Sequence, residues 1–407
     1  MKKTLISVIS TFILSVSAAH ADENAICKNP LIRIAGQREV VYNYKTDHCN
    51  RVDVPDTPAM AFKDAHGKVH LFNGITGSFA SVGSSLNDVH RDCDQSLSTD
   101  DQPENKATPA SFDNWKWFRS PWTNDGKTVY GLIHNEFHGW EKPDQYCPSG
   151  KENPCLYPNV TASISTDGGK TFRALKDSKG QVVLALVTPY AYNKDANKQA
   201  GIRAPTNIIS KQENGKTYYF LLASNRGAKG IAQKGGTCLY RSDDVTDPSH
   251  WRAWDGKGFN VVVNATVYRQ KDLDPTQHIC KPVFGQPPSS WTYNTVLKEY
   301  VAIVGTKDSG DQSFAYVTSK GKDMTHWSKP KTLMQTTFAQ FHASRKGSGV
   351  SGQTYPSLLD PTSPGMNFEY SGAHPYLYFT RFNPKVKHGD WHNRDLIRVP
   401  LEVSCGN

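Results

Sequence analysis

The sequence has 407 residues, of which 37% are hydrophobic and 11% aromatic, with 31 glycines, 24 prolines and a formal net charge of +9. The composition is typical of a globular all-β chain with many turns, and one large domain is compatible with this length. No basic run is interleaved with aromatic residues, which argues against a nucleic-acid-binding protein. The positive charge favours either simple solubility or an anionic partner such as an acidic glycan.

The first 21 residues have the pattern of a secretory signal. Basic residues Lys2 and Lys3 precede an apolar run from position 5 to position 16, and small residues Ala19 and Ala21 form a cleavage site. The remainder has no further apolar run of about 18 residues, so no membrane span is predicted. We therefore predict a signal peptide over residues 1–21 and a single exported domain over residues 22–407, secreted or periplasmic in a bacterium.

Eight cysteines follow the predicted signal. In an oxidising compartment an even number of cysteines favours disulfides over metal or redox chemistry. Cys147 and Cys155 are close enough in sequence for a local loop, and a bridge from Cys27 to Cys405 would join the two ends of the chain.

A loose repeat recurs five times along the chain. Each copy has an apolar first strand, a polar turn and a second strand rich in aromatic or β-branched residues. The copies begin at residues 56–62, 119–122, 203–209, 291–297 and 355–360. Repeats of about 60–90 residues with room for four strands are typical of propeller blades. The prediction is an all-β, five-bladed β-propeller of four-stranded antiparallel blades, with six blades as the alternative.

The clearest motif is S-T-D-G-G-K-T-F at residues 165–172, between the second and third copies. Asp167 can accept hydrogen bonds from the turn's own N–H groups, Gly169 can adopt a positive φ, and Phe172 can anchor the turn on the sheet. Degenerate turns of the same type lie between later copies and end on Trp251 and Trp327. The motif is predicted to be structural.

This motif closely resembles the Asp box of sialidases and related β-propellers. Sialidases have six blades, and their N-terminal Arg-Ile-Pro signature is not matched here. Five blades resemble the arabinanase-, xylosidase- and fructosidase-type glycosidases. The resemblance implies a carbohydrate substrate and a site around the central channel, on the face opposite the Asp-box turn, where first strands start and second strands end.

The second strand of the second copy carries the most informative segment, residues 134–138. In an extended strand His134, Glu136 and His138 share one face, whereas Asn135 and Phe137 face the other. Neighbouring histidines can tune a glutamate as a general acid. The same trio could instead bind a metal ion or make structural hydrogen bonds.

Asp56, at the start of the first inner strand, is the predicted partner carboxylate. The five-bladed glycosidases place a catalytic aspartate at a corresponding position and a general-acid glutamate in a later blade, so the resemblance implies these roles for Asp56 and Glu136. Asp53 competes for the role of Asp56. Asp92 is a third carboxylate that could orient substrate, or lie beside a disulfide without a catalytic role.

Arginines and aromatic residues complete the predicted site. Arg119 and Arg203 start equivalent strands, and Arg226 and Arg381 follow equivalent second strands. Sialidases clamp a substrate carboxylate with several arginines, an arrangement similar in kind; salt bridges between blades are the alternative. The aromatic residues that could stack on sugar rings, or pack in the core instead, are Trp140, Trp291 and Tyr355.

Together these features predict an exported glycoside hydrolase acting on a polysaccharide or glycoconjugate, including acidic ones, by paired-carboxylate catalysis. Asp56, Glu136 and His134 are the predicted catalytic residues, with His138 among the substrate-binding ones. The alternatives are a glycan-binding propeller without catalysis and a polysaccharide lyase using His134 or His138 with Tyr355. No cofactor and no metal are predicted, and the protein is expected to act as a monomer.

Overall fold

The computed structural model describes residues 26–75, 77–97, 108–195, 199–227, 233–264, 273–308, 311–336, 351–383 and 392–406. The predicted signal peptide therefore lies outside the described residues. The described residues include two α-helices of four residues each, α1 (Tyr44–Asp47) and α2 (Pro143–Tyr146), and short 3-10 turns at Gly139–Glu141, Asn153–Cys155, Pro248–His250 and Pro275–His278. Within these ranges, no helix has the length and apolar character needed to cross a bilayer.

Strands form nearly all of the regular structure. In chain order they are β1 (Pro30–Ile34), β2 (Glu39–Tyr42), β3 (Pro55–Lys63), β4 (Val69–Gly74), β5 (Phe79–Gly83), β6 (Val89–Ser96), β7 (Trp115–Thr123), β8 (Val129–His138), β9 (Leu156–Ser165), β10 (Arg173–Ala174), β11 (Leu184–Leu186), β12 (Gly201–Arg203), β13 (Ile209–Glu213), β14 (Lys216–Arg226), β15 (Gly236–Ser242), β16 (Arg252–Ala253), β17 (Val261–Val262), β18 (Pro288–Asn294), β19 (Glu299–Asp308), β20 (Asp311–Lys320), β21 (Asp323–Trp327), β22 (Lys331–Thr336), β23 (Gln353–Leu359), β24 (Tyr370–Ser371), β25 (Tyr376–Phe382) and β26 (Arg394–Cys405).

These strands form five sheets, one for each predicted repeat, arranged as the blades of a five-bladed β-propeller. The first blade is β3-β4-β5-β6 and the second β7-β8-β9-β10, with β11 also on β9. In the third, β12 and β13 share the inner position, followed by β14, β15, β16 and β17. The fourth runs β18-β19-β20 with β21 and β22 outermost, and β24 adds a short parallel pair to β18. The predicted fold is confirmed.

The N-terminal strands complete the last blade and so close the ring. That blade runs β23-β25-β26, and β1 and β2 both pair with β26. A disulfide between Cys27 and Cys405 joins the two ends beside this pairing. The two predicted bridges are both present, together with two that the sequence left unassigned: Cys27–Cys405, Cys147–Cys155, Cys49–Cys93 and Cys238–Cys280.

Each inner strand is irregular where it passes the channel. The ladder shifts register inside β3, β7, β18 and β23, and the inner position of the third blade is split between β12 and β13. Prolines cannot donate to the ladder, and each inner strand carries one near its irregularity. A bulge turns a side chain away from the regular alternation. Strand β7 begins at Trp115, so Arg119 lies inside the strand and not at its start as predicted. The register shifts between Phe118 and Ser120, which places Arg119 in a bulge.

The turn at residues 165–172 has the predicted geometry. One carboxylate oxygen of Asp167 accepts the backbone N–H groups of Lys170 and Thr171, both at 3.1 Å. Gly169 has φ +87°, and Phe172 is buried in an aromatic cluster. The turn lies at the far end of the blade from the predicted site, since β9 pairs Ser165 with the start of β8 and Leu156 with its end.

Candidate active site

Two cavities meet at one end of the propeller channel, and Tyr355 lines both. The first, here called the carboxylate chamber, has a volume of about 320 Å³ and is lined by residues that include Asp56, Trp115, Trp117, Glu136, His138 and Trp140. The second, the arginine chamber, has a volume of about 270 Å³ and is lined by residues that include Arg119, Arg203, Arg226, Pro287 and Pro288. The acidic residues and the indoles thus line the first chamber, together with Arg394, whereas Arg119, Arg203 and Arg226 line the second.

Glu136 is held by three donors from β8 and the neighbouring blade. His134 Nε2 lies 2.8 Å from Oε1, His138 Nε2 lies 3.0 Å from Oε2, and Arg203 Nη2 lies 3.5 Å from Oε1. Burial alone would raise the pKa of Glu136, but the two histidine hydrogen bonds and the Arg203 charge lower it well below its usual range. Glu136 is therefore ionised in the free protein.

The two histidines beside Glu136 differ in protonation. Nδ1 of His134 accepts the backbone N–H of Ala204 at 3.3 Å, so Nε2 carries the proton that is donated to Glu136. Burial lowers the pKa of His134, which is therefore neutral. Both nitrogens of His138 face carboxylates, Nε2 towards Glu136 and Nδ1 towards Glu141 at 2.9 Å. Burial opposes the charge on His138, but the two carboxylates raise its pKa overall, which favours the imidazolium.

Asp56, on the first blade, accepts hydrogen bonds from the second and the last blades. Trp117 Nε1 donates to Oδ2 at 3.0 Å, and Arg394 Nη1 donates to Oδ1. Tyr355 lines the same chamber as this carboxylate. Burial, and then the negative charge of Asp56, raise the pKa of Tyr355, so its hydroxyl keeps its proton at neutral pH.

Indole rings form the wall of the carboxylate chamber around His138. The ring of Trp140 stacks on His138 with centroids 4.0 Å apart and an interplanar angle of 25°, and Trp115 stacks at 5.6 Å. Trp115 Nε1 also donates to Glu141 at 2.9 Å, which connects this wall to the hydrogen-bonded series of Glu136, His138 and Glu141. Flat, partly polar aromatic walls beside hydrogen-bonding groups suit a polar ligand with apolar faces, such as a sugar ring.

The arginine chamber has a different polar framework. Gln199 Oε1 accepts Nη1 of Arg203 at 3.0 Å and Nη1 of Arg226 at 2.7 Å. Arg119 donates its Nε to the carbonyl oxygen of Pro205 at 3.2 Å. Burial lowers the pKa of Arg119 to about 9, and the nearby Arg203 charge acts in the same direction; Arg119 is still a cation at neutral pH.

The structure brings most of the predicted site residues together. His134 contacts Glu136, and the two chambers are lined by Asp56, Glu136, His138, Trp140, Tyr355, Arg119, Arg203 and Arg226. Arg381 is not among the lining residues: its Nη2 pairs with Asp395 Oδ2 at 2.7 Å. Because side chains alternate along β26, Arg394 points the opposite way from Asp395 and reaches Asp56 instead.

Five residues of the site were missed at the sequence level. The pattern Trp115-x-Trp117 precedes Arg119 by a few positions, and an earlier start for β7 would have placed both indoles on one face. No sequence signal distinguishes Arg394 from other arginines. The missed residues are Trp115, Trp117, Glu141, Gln199 and Arg394.

The competing carboxylates have structural partners instead. Asp53 is fully buried, accepts the Ser78 hydroxyl at 2.8 Å and lies 3.3 Å from Arg91 Nε. Asp92 accepts the side-chain amide of Gln95 at 2.7 Å. Neither carboxylate lines a chamber. The aromatic candidate Trp291 is completely buried in a hydrophobic cluster.

The metal interpretation of the His134, Glu136 and His138 trio is not favoured by its geometry. Each carboxylate oxygen of Glu136 faces one imidazole nitrogen, so the side chains form a chain of hydrogen bonds and do not converge on a point. Across the described ranges, no group of three histidine, cysteine, aspartate or glutamate side chains is arranged to hold a metal ion.

No protein-family profile and no curated protein sequence matches this chain. Among solved structures, an α-L-arabinofuranosidase from Lactobacillus brevis is similar with a TM-score of 0.44 and 10% identity, over 88% of this chain and 94% of the other. The catalytic domain of a GH62 α-L-arabinofuranosidase from Coprinopsis cinerea also has a TM-score of 0.44 and 10% identity, over 93% and 99%. At this level of similarity the chemistry must be argued from the residues of the site.

Proposed function

We propose that the protein is a glycoside hydrolase that cleaves a glycosidic bond in a polysaccharide or glycoconjugate within the carboxylate chamber. One observation carries the proposal: Asp56 and Glu136 line the same chamber, and each is held in place by several donors. Glycoside hydrolysis needs two carboxyl groups on either side of the bond, one of them supplying a proton. Sugar rings would be bounded by the indoles of Trp117 and Trp140.

The roles follow from where protons are held. Asp56 accepts hydrogen bonds from Trp117 and Arg394, so it is suited to act as the base or nucleophile. The departing sugar oxygen must gain a proton, and the imidazolium of His138 holds one 3.0 Å from Glu136. Glu136 would receive this proton from His138 and transfer it to the leaving oxygen.

A second candidate, β-elimination by a lyase, is favoured by the position of Tyr355. Tyr355 lines both chambers, and a lyase would use a tyrosine to move a proton while arginines neutralise a uronate. Elimination leaves an unsaturated sugar that absorbs ultraviolet light, whereas hydrolysis leaves a new reducing end without such absorbance.

The test is an assay of the purified protein on a panel of neutral and acidic polysaccharides. We expect reducing ends without ultraviolet-absorbing products, and losses of at least about 100-fold in Glu136→Gln and Asp56→Asn. Arg33→Gln, whose side chain is 63% exposed on β1, is the matched control and should keep full activity. Unsaturated products would show that the reaction is elimination and not hydrolysis. Binding of a glycan without any product would overturn both the hydrolase and the lyase proposals.

We also propose that the domain is exported after cleavage following residue 21. Four disulfides are present, and such bridges persist mainly in oxidising compartments. Intact-mass analysis of the protein recovered outside the cytoplasm should show a chain that begins at residue 22. Retention of the first 21 residues would contradict this.

A further inference from the structure

We propose that the arginine chamber binds the negatively charged group of an acidic sugar, the carboxylate of a uronic acid or a sulfate ester, within the substrate cut in the carboxylate chamber. That the bound sugar is a substrate rests on the proposed hydrolase function. Anion binding itself is independent of catalysis and can be measured without it.

Arg119 provides the first evidence. The residue lines the chamber although it is only 4% exposed, and its Nη2 is a buried nitrogen without a hydrogen-bond partner in the described part of the chain. Among the described residues, its one hydrogen bond runs from Nε to the carbonyl oxygen of Pro205. Burying a cation without an anion costs stability, because the hydration of the charge is lost and nothing replaces it. A ligand anion would supply the missing partner.

Arg203 and Arg226 provide the second. Both donate to one neutral acceptor, Gln199 Oε1, so this contact holds the guanidinium groups in place without neutralising them. The residues that line the chamber within the described ranges include no aspartate or glutamate. Arg203 lies 3.5 Å from Glu136, but that carboxylate already accepts hydrogen bonds from two histidines. Among the described residues that line the chamber, positive charge therefore exceeds negative charge.

The surroundings strengthen this preference for anions. Pro287, Pro288 and Pro356 line the chamber, and apolar walls lower the local dielectric constant, which increases the attraction between an anion and the guanidinium groups. A guanidinium also presents a planar fork of N–H groups that matches a carboxylate or a sulfate.

The position relative to the carboxylates identifies the substrate class. Tyr355 lines both chambers, so they adjoin each other. A sugar unit whose anionic group contacts the arginines therefore places its own ring, or the adjacent sugar unit of the glycan, beside Asp56 and Glu136. The arginines would therefore select a glycan with an acidic residue at or next to the bond that is cleaved.

The experiment is a calorimetric titration of the full exported domain with three probes: methyl glucuronide, methyl glucoside 6-sulfate and methyl glucoside. We expect the anionic probes, or one of them, to bind at least about tenfold more tightly than the neutral one, with affinity falling as salt rises. The stronger of the two anionic probes identifies the group. Equal binding of all three, or no binding of the anions, would overturn the proposal.

Two variants locate the binding. Arg226→Gln and Arg119→Met should each weaken anion binding at least about tenfold, whereas the exposed control Arg33→Gln should not. The free Arg119→Met protein should also unfold at the same or a higher temperature, because an unpaired buried charge is removed. If Arg119 instead has a purely structural role, its loss lowers the unfolding temperature while Arg226→Gln leaves binding intact.

The two proposals can fail separately. Anion binding without cleavage of any glycan would support the proposed anion site and overturn the proposed hydrolase activity. Cleavage of neutral glycans at a rate that is unchanged in Arg226→Gln would support the hydrolase proposal and overturn the proposed anion site.

Discussion

Nε2 of His134 lies 2.8 Å from Oε1 of Glu136, on the opposite oxygen from the one that faces His138. One carboxylate is thus held between a neutral imidazole, whose Nδ1 accepts the Ala204 N–H, and an imidazolium whose Nδ1 reaches Glu141. Glu136 accordingly has a fixed orientation. Of its two histidine neighbours, the imidazolium of His138 is the one that can transfer a proton to it.

The two histidines should titrate on opposite sides of the ordinary histidine pKa of 6.5. Burial lowers the pKa of His134, whereas the carboxylates of Glu136 and Glu141 outweigh burial and raise that of His138. Nitrogen-15 NMR of the imidazole rings across pH 5 to 8 measures both. Glu141→Gln should lower the pKa of His138 alone. Two titrations that coincide near 6.5 would contradict the assignment.

Stability should depend on pH through His138. Because its folded-state pKa is raised above 6.5, its contribution is complete below about pH 6.5 and is lost as the pH rises through the folded-state value. The unfolding temperature of the native protein should therefore exceed that of His138→Gln most clearly near pH 6 and by less at higher pH. The control is His250→Gln: His250 is also paired with a carboxylate, that of Asp243, but it is exposed and should show a smaller difference. A difference that grows with pH would be inconsistent with an imidazolium.

Trp117→Phe should lower the rate of glycan cleavage by about 10- to 100-fold, because Asp56 loses one charge-assisted hydrogen bond while the aromatic surface remains. Steady-state kcat and KM should show the loss mainly in kcat. Trp327→Phe is the matched control, since that indole donates to a backbone carbonyl at 2.7 Å, outside the residues that line the two chambers. Equal losses in both variants would point to a general structural effect.

Gly169→Ala should destabilise the fold much more than Gly168→Ala. Both glycines have positive φ, +87° and +75°, but a Cβ on Gly169 would lie 2.2 Å from the ring of Phe62, whereas the nearest atom to one on Gly168 is 3.7 Å away. Backbone strain costs about 1 kcal/mol in either case, and the clash adds about 1–3 kcal/mol for Gly169 alone. Chemical denaturation measures the difference; similar losses would show that only the backbone matters.

Replacing Cys27 and Cys405 together by serine should cost about 2–5 kcal/mol of stability, because this bridge spans 378 residues and holds the closing strand β1 against β26. The Cys147–Cys155 bridge spans only 8 residues, so its double serine variant should lose less. Thermal unfolding of both variants under the same conditions makes the comparison. A larger loss from the short bridge would show that closure of the ring is secured by the strands alone.

The repeat, the turn at residues 165–172 and two of the four disulfides were predictable because they depend on local or periodic features. Turn chemistry is decided within a few residues, as the Asp167 contacts show. The shared face of His134, Glu136 and His138 follows from strand periodicity in the same way.

The remainder of the site depends on contacts between distant parts of the chain. Asp56 meets Arg394 across a separation of 338 residues, and no local pattern distinguishes Arg394 from Arg381, which pairs with Asp395 instead. The irregular inner strands, such as the bulge at Arg119, depend on how each blade packs around the channel. The sequence alone therefore determined the propeller, through its repeat, and the shared face of the three side chains on β8, through strand periodicity. Only the tertiary structure decided which charges meet and which arginine has no anionic partner among the described residues, because those pairings depend on closure of the ring.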